Sequence, residues 1–125
     1  MKINIFSGTV YVKIYKNKFT VRHIESNTEV TRSAIEPFTT KRLLVGEFIS
    51  AANLLGEIIK DLYTKNWFSP SPIIIMHPMT MIEGGLSDIE ERILRELATD
   101  VGARKVIIWT GHELTNEEVT DKSYN

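Results

Sequence analysis

At 125 residues, the chain is long enough for one domain of ordinary size with a single hydrophobic core. Hydrophobic residues make up 42% of it and charged residues 25%, which is typical of a globular protein. The formal net charge of −1 gives no electrostatic basis for binding nucleic acid or an anionic membrane surface. The lack of cysteine excludes disulfide bonds and thiolate metal sites.

The sequence contains no pattern of a secretion signal or a membrane anchor. Its first apolar stretch is too short for the hydrophobic part of a signal peptide. No apolar run approaches the roughly 20 residues that a membrane-spanning helix requires. We therefore expect a cytoplasmic protein with no membrane span.

The first part of the chain has the pattern of an antiparallel β-sheet. Residues 3–6, 9–15 and 18–25 are rich in β-branched and aromatic residues. In the run 9–15, apolar residues at even positions alternate with other side chains at odd positions, so the two sets lie on opposite faces. Polar turns at residues 7–8 and 16–18 separate the runs. These features predict a three-stranded antiparallel meander.

A polar connection and an amphipathic helix follow. Residues 26–42 are irregular and contain Pro37, although residues 29–34 could form a short edge strand. From about residue 45 to 64, apolar residues recur every three or four positions, which predicts a helix with one buried stripe. The predicted stripe consists of Phe48, Ala51, Ala52, Leu55, Ile58, Ile59 and Leu62.

The stretch after two prolines predicts a strand, a helix and a second strand. Residues 73–76 are apolar on both faces, as in a strand that helices cover. Ser87 and Glu90 have the spacing of a capping box at a helix start, and Gly102 is suited to the helix stop. Residues 106–109 form the last predicted strand. The predicted buried stripe of this helix is Ile89, Ile93, Leu94, Leu97 and Val101.

The predicted order of elements is therefore βββαβαβ in one domain over residues 1–111. Residues 112–125 form a polar tail, either frayed or folded as one short acidic helix. An antiparallel meander followed by two right-handed crossovers gives a mixed five-stranded sheet with packed helices. This is the ribonuclease-H-like arrangement, an α/β fold that actin-type ATPases use twice.

Several motifs resemble the bacterial actin homologue MreB, the rod-shape-determining protein. The resemblance rests on an aromatic pair that ends a helix, a proline before a buried strand, an acidic helix and a Gly-Ala-Arg-x-Val turn. In this sequence they are Trp67-Phe68, Pro72-Ile73-Ile74-Ile75, Asp88 through Glu96, and Gly102 through Val106. The resemblance covers nearly the whole chain but only the first subdomain of the family, and it implies an actin-like ATPase subdomain.

Departures from the MreB pattern argue against ATP hydrolysis. Family members begin with Ile-Asp-Leu-Gly-Thr, whose aspartate helps to place the nucleotide's metal, and Phe6 stands in that register here. A phenyl ring cannot bind Mg²⁺. Glu90 matches the family carboxylate that orients the hydrolytic water, but we expect it to serve the capping box instead. The family's second phosphate loop and adenosine pocket have no counterpart in the sequence. We therefore expect no catalytic residue and no bound cofactor.

Two apolar features are candidate partner-binding sites. The first is a loop before the second helix, where Met79, Met81 and Ile82 stand beside two glycines; methionine surfaces adapt to many partners. The alternative is that these side chains pack under the end of the sheet. The second is the pair Trp67 and Phe68, which either covers the core or anchors a partner.

The histidines suggest a second kind of site. His77 and His112 both follow predicted parallel strands, so they could approach each other at the carboxyl edge of the sheet, where ligands usually bind. With Glu83 and Thr110 they could line the site of a small enzyme or a ligand-binding domain. No pair of histidines has helical metal-ligand spacing, so we expect no metal.

Basic residues at 13, 16, 18 and 22 give the first hairpin a positive character. We interpret them as a solvated sheet edge that prevents strand-to-strand aggregation. The preferred hypothesis is a non-catalytic, MreB-like single subdomain that acts by protein–protein interaction. Its expected partner is a full-length actin homologue, a second copy, or another protein of cell shape or the cytoskeleton, and no nucleic acid.

Overall fold

The computed structural model describes residues 8–63 and 71–124. Its eight elements form one sheet and three helices over these residues. They are β1 Thr9–Tyr15, β2 Lys18–His23, β3 Thr28–Ser33, α1 Phe48–Tyr63, β4 Ile73–Pro78, α2 Asp88–Asp100, β5 Lys105–Ile108 and α3 Asn116–Thr120.

The five strands form a mixed sheet in the order β3-β2-β1-β4-β5. β1 pairs antiparallel with β2 and parallel with β4, and β5 continues the parallel part. The predicted α/β architecture with a mixed five-stranded sheet and packed helices is therefore confirmed. Among the described residues, no helix is long and apolar enough to cross a membrane.

The meander is built from different segments than the sequence predicted. Its third strand is β3, which the sequence allowed only as a short edge strand, and the predicted strand at residues 3–6 lies outside the described residues. Phe6, and Ser7 of the predicted turn at residues 7–8, lie outside them as well. Every residue of β3 is exposed or half-buried, because nothing pairs with its outer side in the described chain. A strand in that position needs few apolar residues.

The larger core lies between one face of the sheet and the helices α1 and α2. Val10, Val12 and Ile14 of β1 are fully buried against it, as their alternation predicted. The stripe of α1 is confirmed, with Ala51, Leu55, Ile58 and Ile59 buried. Both capping and stop signals of α2 are confirmed: Ser87 and Glu90 form the capping box, and Gly102 has a φ of +106°.

Ile89 is an exception to the predicted stripe of α2, since its side chain is 67% exposed. The buried face of α2 is defined by Leu94, Leu97 and Ala98. Ile89 is five positions before Leu94, which places it roughly 140° around a helix of 3.6 residues per turn. It therefore lies outside the buried face, and the sequence prediction was wrong at this position.

A smaller core covers the opposite face of the sheet. The C-terminal residues predicted as a polar tail fold instead onto this face, and the short acidic helix of that prediction is α3. Leu114 and Val119 bury their side chains against Tyr11 and Ile75. Burial of these two residues keeps the segment on the sheet, because about 2 kcal/mol is gained for each large aliphatic side chain removed from water.

Candidate functional site

β1, β4 and β5 run parallel, so their carboxyl ends meet at one edge of the sheet. This is the edge where α/β proteins usually bind ligands. Lys13 of β1 and His77 of β4 are direct neighbours in the strand register there, on the face that α3 covers. Both are buried, at 6% and 2% exposure. Buried polar side chains at such an edge make it the candidate functional site.

A continuous hydrogen-bond chain holds His77. Its Nε2 lies 2.9 Å from the carbonyl oxygen of Gly111, and its Nδ1 lies 2.6 Å from the hydroxyl of Tyr11. Because a carbonyl can only accept, Nε2 carries the proton and Nδ1 accepts from the Tyr11 hydroxyl. The Tyr11 oxygen in turn accepts the backbone N–H of Leu114 at 3.0 Å. Both ring nitrogens of His77 are therefore engaged inside the protein.

The titration of these groups follows from their burial. Burial lowers the pKa of His77 below 6.5, because the charged ring would lose its water. Burial also raises the pKa of the Tyr11 hydroxyl above 10.0, and the nearby Glu113 carboxylate adds to the increase. The neutral forms of both side chains are thus the stable ones. They suit a structural network between the sheet and the segment that covers it.

Lys13 is held by the same covering segment. Its ammonium lies 2.8 Å from a carboxylate oxygen of Glu113, and the hydrogen bond from Lys13 lowers the pKa of that carboxyl. The sequence pattern predicts Lys13 at a solvated sheet edge, which is wrong because β1 is an interior strand. The charge of Lys13 is matched by Glu113.

His112 and Trp109 lie outside this network. His112 is exposed, and its Nε2 lies 2.8 Å from a carboxylate oxygen of Glu118 in α3. The indole N–H of Trp109 donates to the His112 carbonyl at 2.6 Å. A backbone hydrogen bond from Thr115, followed by one from His112, lowers the pKa of Glu118. These contacts fix the loop that closes over His77.

The predicted ligand site is thus only partly assembled. His77 and the loop with Thr110 and His112 come together, but His77 is buried beneath that loop rather than open to a ligand. Glu83 is exposed in the loop before α2. Within residues 8–63 and 71–124, no three His, Asp or Glu side chains are close enough together to hold a metal ion.

The turn between β1 and β2 lies at the same end of the sheet, and Asn17 holds it in place. Asn17 has a φ of +55°, and its side-chain oxygen accepts the backbone N–H groups of Phe38 and Thr39 at 2.8 and 2.7 Å. Its own backbone N–H donates to the Thr39 hydroxyl at 2.9 Å. The sequence pattern predicts the turn but not these hydrogen bonds of Asn17. The only local signal is the asparagine, a residue that tolerates positive φ.

An apolar groove runs beside this edge, between the loop before α2 and residues 43–45. Met81 and Ile82 are half-buried and line it, and Met81 also packs against the main core. Met79 is half-buried, and its backbone N–H donates to the Ile14 carbonyl at 2.8 Å. Glu90 lines the groove too while completing the capping box. The remaining residues that line the groove are Leu43, Leu44, Val45, Pro78, Leu86, Ile93 and Leu94.

Trp67 and Phe68, the other partner-site candidates, lie outside the described residues.

Structural comparison places the chain among proteins with an actin-like fold. MreB 5 of Spiroplasma citri, in a crystal structure bound to AMPPNP, matches 83% of this chain with a TM-score of 0.53 and 12% sequence identity. At that identity the similarity shows the fold alone. The chain spans 38% of the length of MreB 5.

Sequence comparison identifies the family. No protein-family model matches the chain. The chain is 38% identical over 95 residues to a protein of Escherichia coli (strain K12) named "Uncharacterized protein YjaA", over 72% of this chain and 73% of that protein. The chain therefore belongs to the YjaA family, a name that states no activity.

Proposed function

We propose that this chain is a non-catalytic actin-like module that acts by binding another protein. The observation that carries the proposal is the internal engagement of the polar groups at the carboxyl edge. His77 is bonded at both ring nitrogens, and Lys13 is paired with Glu113. Polar side chains whose hydrogen bonds and charges are already satisfied within the protein are poorly suited to bind a nucleotide.

β1 and β4, whose carboxyl ends form this edge of the sheet, carry no acidic residue. β1 reads Thr-Val-Tyr-Val-Lys-Ile-Tyr and β4 reads Ile-Ile-Ile-Met-His-Pro. Mg²⁺ in nucleotide sites is usually bound by one or two carboxylates together with phosphate oxygens. At the turn after β1, the backbone N–H of Asn17 already donates to Thr39. Neither metal nor phosphate binding is therefore supported at this edge.

The apolar groove lined by Met81 and Ile82 is the proposed binding surface. Methionine and isoleucine in a loop beside two glycines at φ +80° and +88° can adapt to a partner's side chains. The groove itself is narrow, so the partner contact would cover its rim rather than fill a deep pocket. The proposed partners are an actin homologue, a second copy of the chain, or another cytoskeletal or cell-shape protein in the cytoplasm.

Two measurements test this function. Calorimetric titration with ATP and Mg²⁺ should give no binding heat, and micromolar binding would contradict the non-catalytic assignment. Cosedimentation with a polymerised bacterial actin homologue should be reduced by Ile82→Asp. Ile89→Asp is the matched control, because Ile89 is an exposed isoleucine outside the groove. Equal binding by both variants would refute the groove as the binding surface. No binding by the native chain to the filament or to itself would exclude the first two of the proposed partners.

The second candidate function is the binding of a small ligand at His77. The lowered pKa of His77 favours this candidate, because perturbed pKa values cluster at functional sites. A ligand would need the loop at Gly111 to move away, because the loop's carbonyl holds Nε2 of His77. A small molecule that shifts the NMR signals of the His77 ring would support this candidate. Unchanged ring signals across a metabolite panel would count against it.

A further inference from the structure

The outer edge of β3 is an unpaired strand edge in the described part of the chain. β3 is the last strand of the sheet on its side, and no residue of it is fully buried. Its six residues extend over about 20 Å at 3.3 Å per residue. Unpaired N–H and C=O groups along such an edge can form a ladder with another extended chain.

A trough lies beside this edge, between the end of β3 and the first turns of α1. It has a volume of about 480 Å³ and continues past Ile49 into a second depression of about 500 Å³. Ile35 and Ile49 line it and are 95% and 75% exposed. The hydroxyl of Ser50 donates to the carbonyl of Glu36, which ties the segment after β3 to α1. The trough is therefore formed before any partner binds.

The charges around the trough are predominantly negative. Glu36, Glu47 and Glu57 line the two depressions and are exposed, and the described chain places no cation within ion-pair distance of any of them. The cation among the lining residues is Arg32, which lies 2.6 Å from Asp61. Three carboxylates thus surround two exposed isoleucines, a surface complementary to a basic and apolar segment.

We propose that the edge of β3 and this trough bind an extended, basic segment of a partner protein as a sixth strand. Side chains at every second position of an added strand point to the same face. Where the added strand passes the end of β3, its apolar side chains would contact Ile35 and Ile49. Lysine or arginine beside those apolar positions would face Glu36 and Glu57.

A partner of this chemistry fits better than a second copy of the chain. Two-fold, antiparallel pairing of one β3 with another would place residues 25–29 of the second copy, which carry Glu25 and Glu29 and no lysine or arginine, beside the acidic trough. Like charges facing each other across an interface oppose association. The trough shares no lining residue with the groove at Met81 and Ile82, so this inference is independent of the proposed function.

The direct test is the binding of synthetic peptides, measured by fluorescence anisotropy on the full chain. The probe is the labelled, end-capped peptide Lys-Thr-Ile-Thr-Ile-Thr-Lys, which places two isoleucines and two lysines on one face of a strand. The charge control replaces both lysines by glutamate, and the apolar control replaces both isoleucines by serine. The basic apolar peptide should bind at least about tenfold more tightly than either control, which corresponds to about 1.4 kcal/mol.

Protein variants locate the binding site. Ile35→Ser with Ile49→Ser should weaken binding at least about tenfold, whereas Ile89→Ser should not, although Ile89 is also an exposed isoleucine. Glu36→Lys with Glu57→Lys should reverse the preference between the lysine and glutamate peptides. All these side chains are exposed, so the variants should stay folded, which circular dichroism checks.

Three results would overturn the inference. The first is equal binding of the lysine and glutamate peptides. The second is an equal loss of binding in the variants of the trough and in Ile89→Ser. The third is a dimer in sedimentation equilibrium that Ile49→Ser dissociates, because the trough would then be occupied by a second copy.

Discussion

Lys13 and Glu113 form an ion pair of 2.8 Å across one hundred positions of sequence. The two ends of the pair differ in environment. The side chain of Lys13 is 8% exposed and that of Glu113 is 52% exposed. Loss of the carboxylate therefore leaves a buried ammonium without its partner, whereas loss of the lysine leaves a carboxylate that water can solvate.

This asymmetry predicts unequal effects of two single substitutions. Glu113→Ala should lower the free energy of unfolding by about 1–3 kcal/mol, because the buried charge of Lys13 becomes unpaired. Lys13→Met should cost less, since methionine keeps the apolar part of the side chain and removes the charge. Urea unfolding of both variants and of the double variant measures the difference. A larger loss for Lys13→Met than for Glu113→Ala would contradict this account.

The hydroxyl group of Tyr11 should contribute to the stability of the fold, although the side chain lies among aliphatic residues. Tyr11→Phe removes the donor to Nδ1 of His77 and the acceptor for the Leu114 N–H, and both groups are buried. We expect a loss of about 2 kcal/mol in the free energy of unfolding. Tyr15→Phe is the matched control on the same strand, where we expect a change within about 0.5 kcal/mol. Similar losses for the two variants would show that the hydrogen-bond chain does not stabilise the fold.

The stability of the chain should decrease in mild acid because of His77. Its native pKa is lowered below 6.5, so below that pH the unfolded chain takes up a proton that the native state resists. The contribution of His77 to the free energy of unfolding is complete above pH 6.5, and it is lost as the pH falls toward the native pKa of His77. Urea unfolding from about pH 8 to about pH 5.5 avoids most carboxylate titration and measures this slope. His77→Gln should flatten it, and an unchanged slope in that variant would assign the effect to another group.

Local signals made the second half of the sheet predictable. The capping box of Ser87 and Glu90, the stop at Gly102 and the apolar strand at β4 are each specified within a few residues. β3 was harder to predict, because an edge strand that is half in solvent has no strong apolar pattern. Ile89 was assigned wrongly, because apolar spacing alone does not identify the centre of a helix face.

The candidate site was less predictable, because its contacts are distant in sequence. The position of His77 at the carboxyl edge followed from the βαβ pattern, but its partner Tyr11 is 66 residues away. Leu114 and Val119 stand in a polar segment, and only the sheet surface against which they pack explains their burial. Glu113 shows the same limitation, since nothing in its local sequence identifies Lys13 as its partner.

Asn17 combines two roles that separate variants can distinguish. Its backbone is in the left-handed region at φ +55°, and its side-chain oxygen accepts two backbone N–H groups from residues 38 and 39. Asn17→Gly keeps the backbone freedom but loses both hydrogen bonds, whereas Asn17→Asp keeps an acceptor and tolerates the same φ. We expect Asn17→Gly to lower the free energy of unfolding by about 1–3 kcal/mol and Asn17→Asp by less than about 1 kcal/mol. Asn17→Ala should be the most destabilising, because it loses the bonds and also strains the backbone.

Thermal and urea unfolding give the ranking, and amide hydrogen exchange at Phe38 and Thr39 locates the effect. If the Asn17→Gly and Asn17→Asp variants are equally stable and amide exchange at Phe38 is unchanged, the turn is held by its backbone conformation and not by the asparagine side chain.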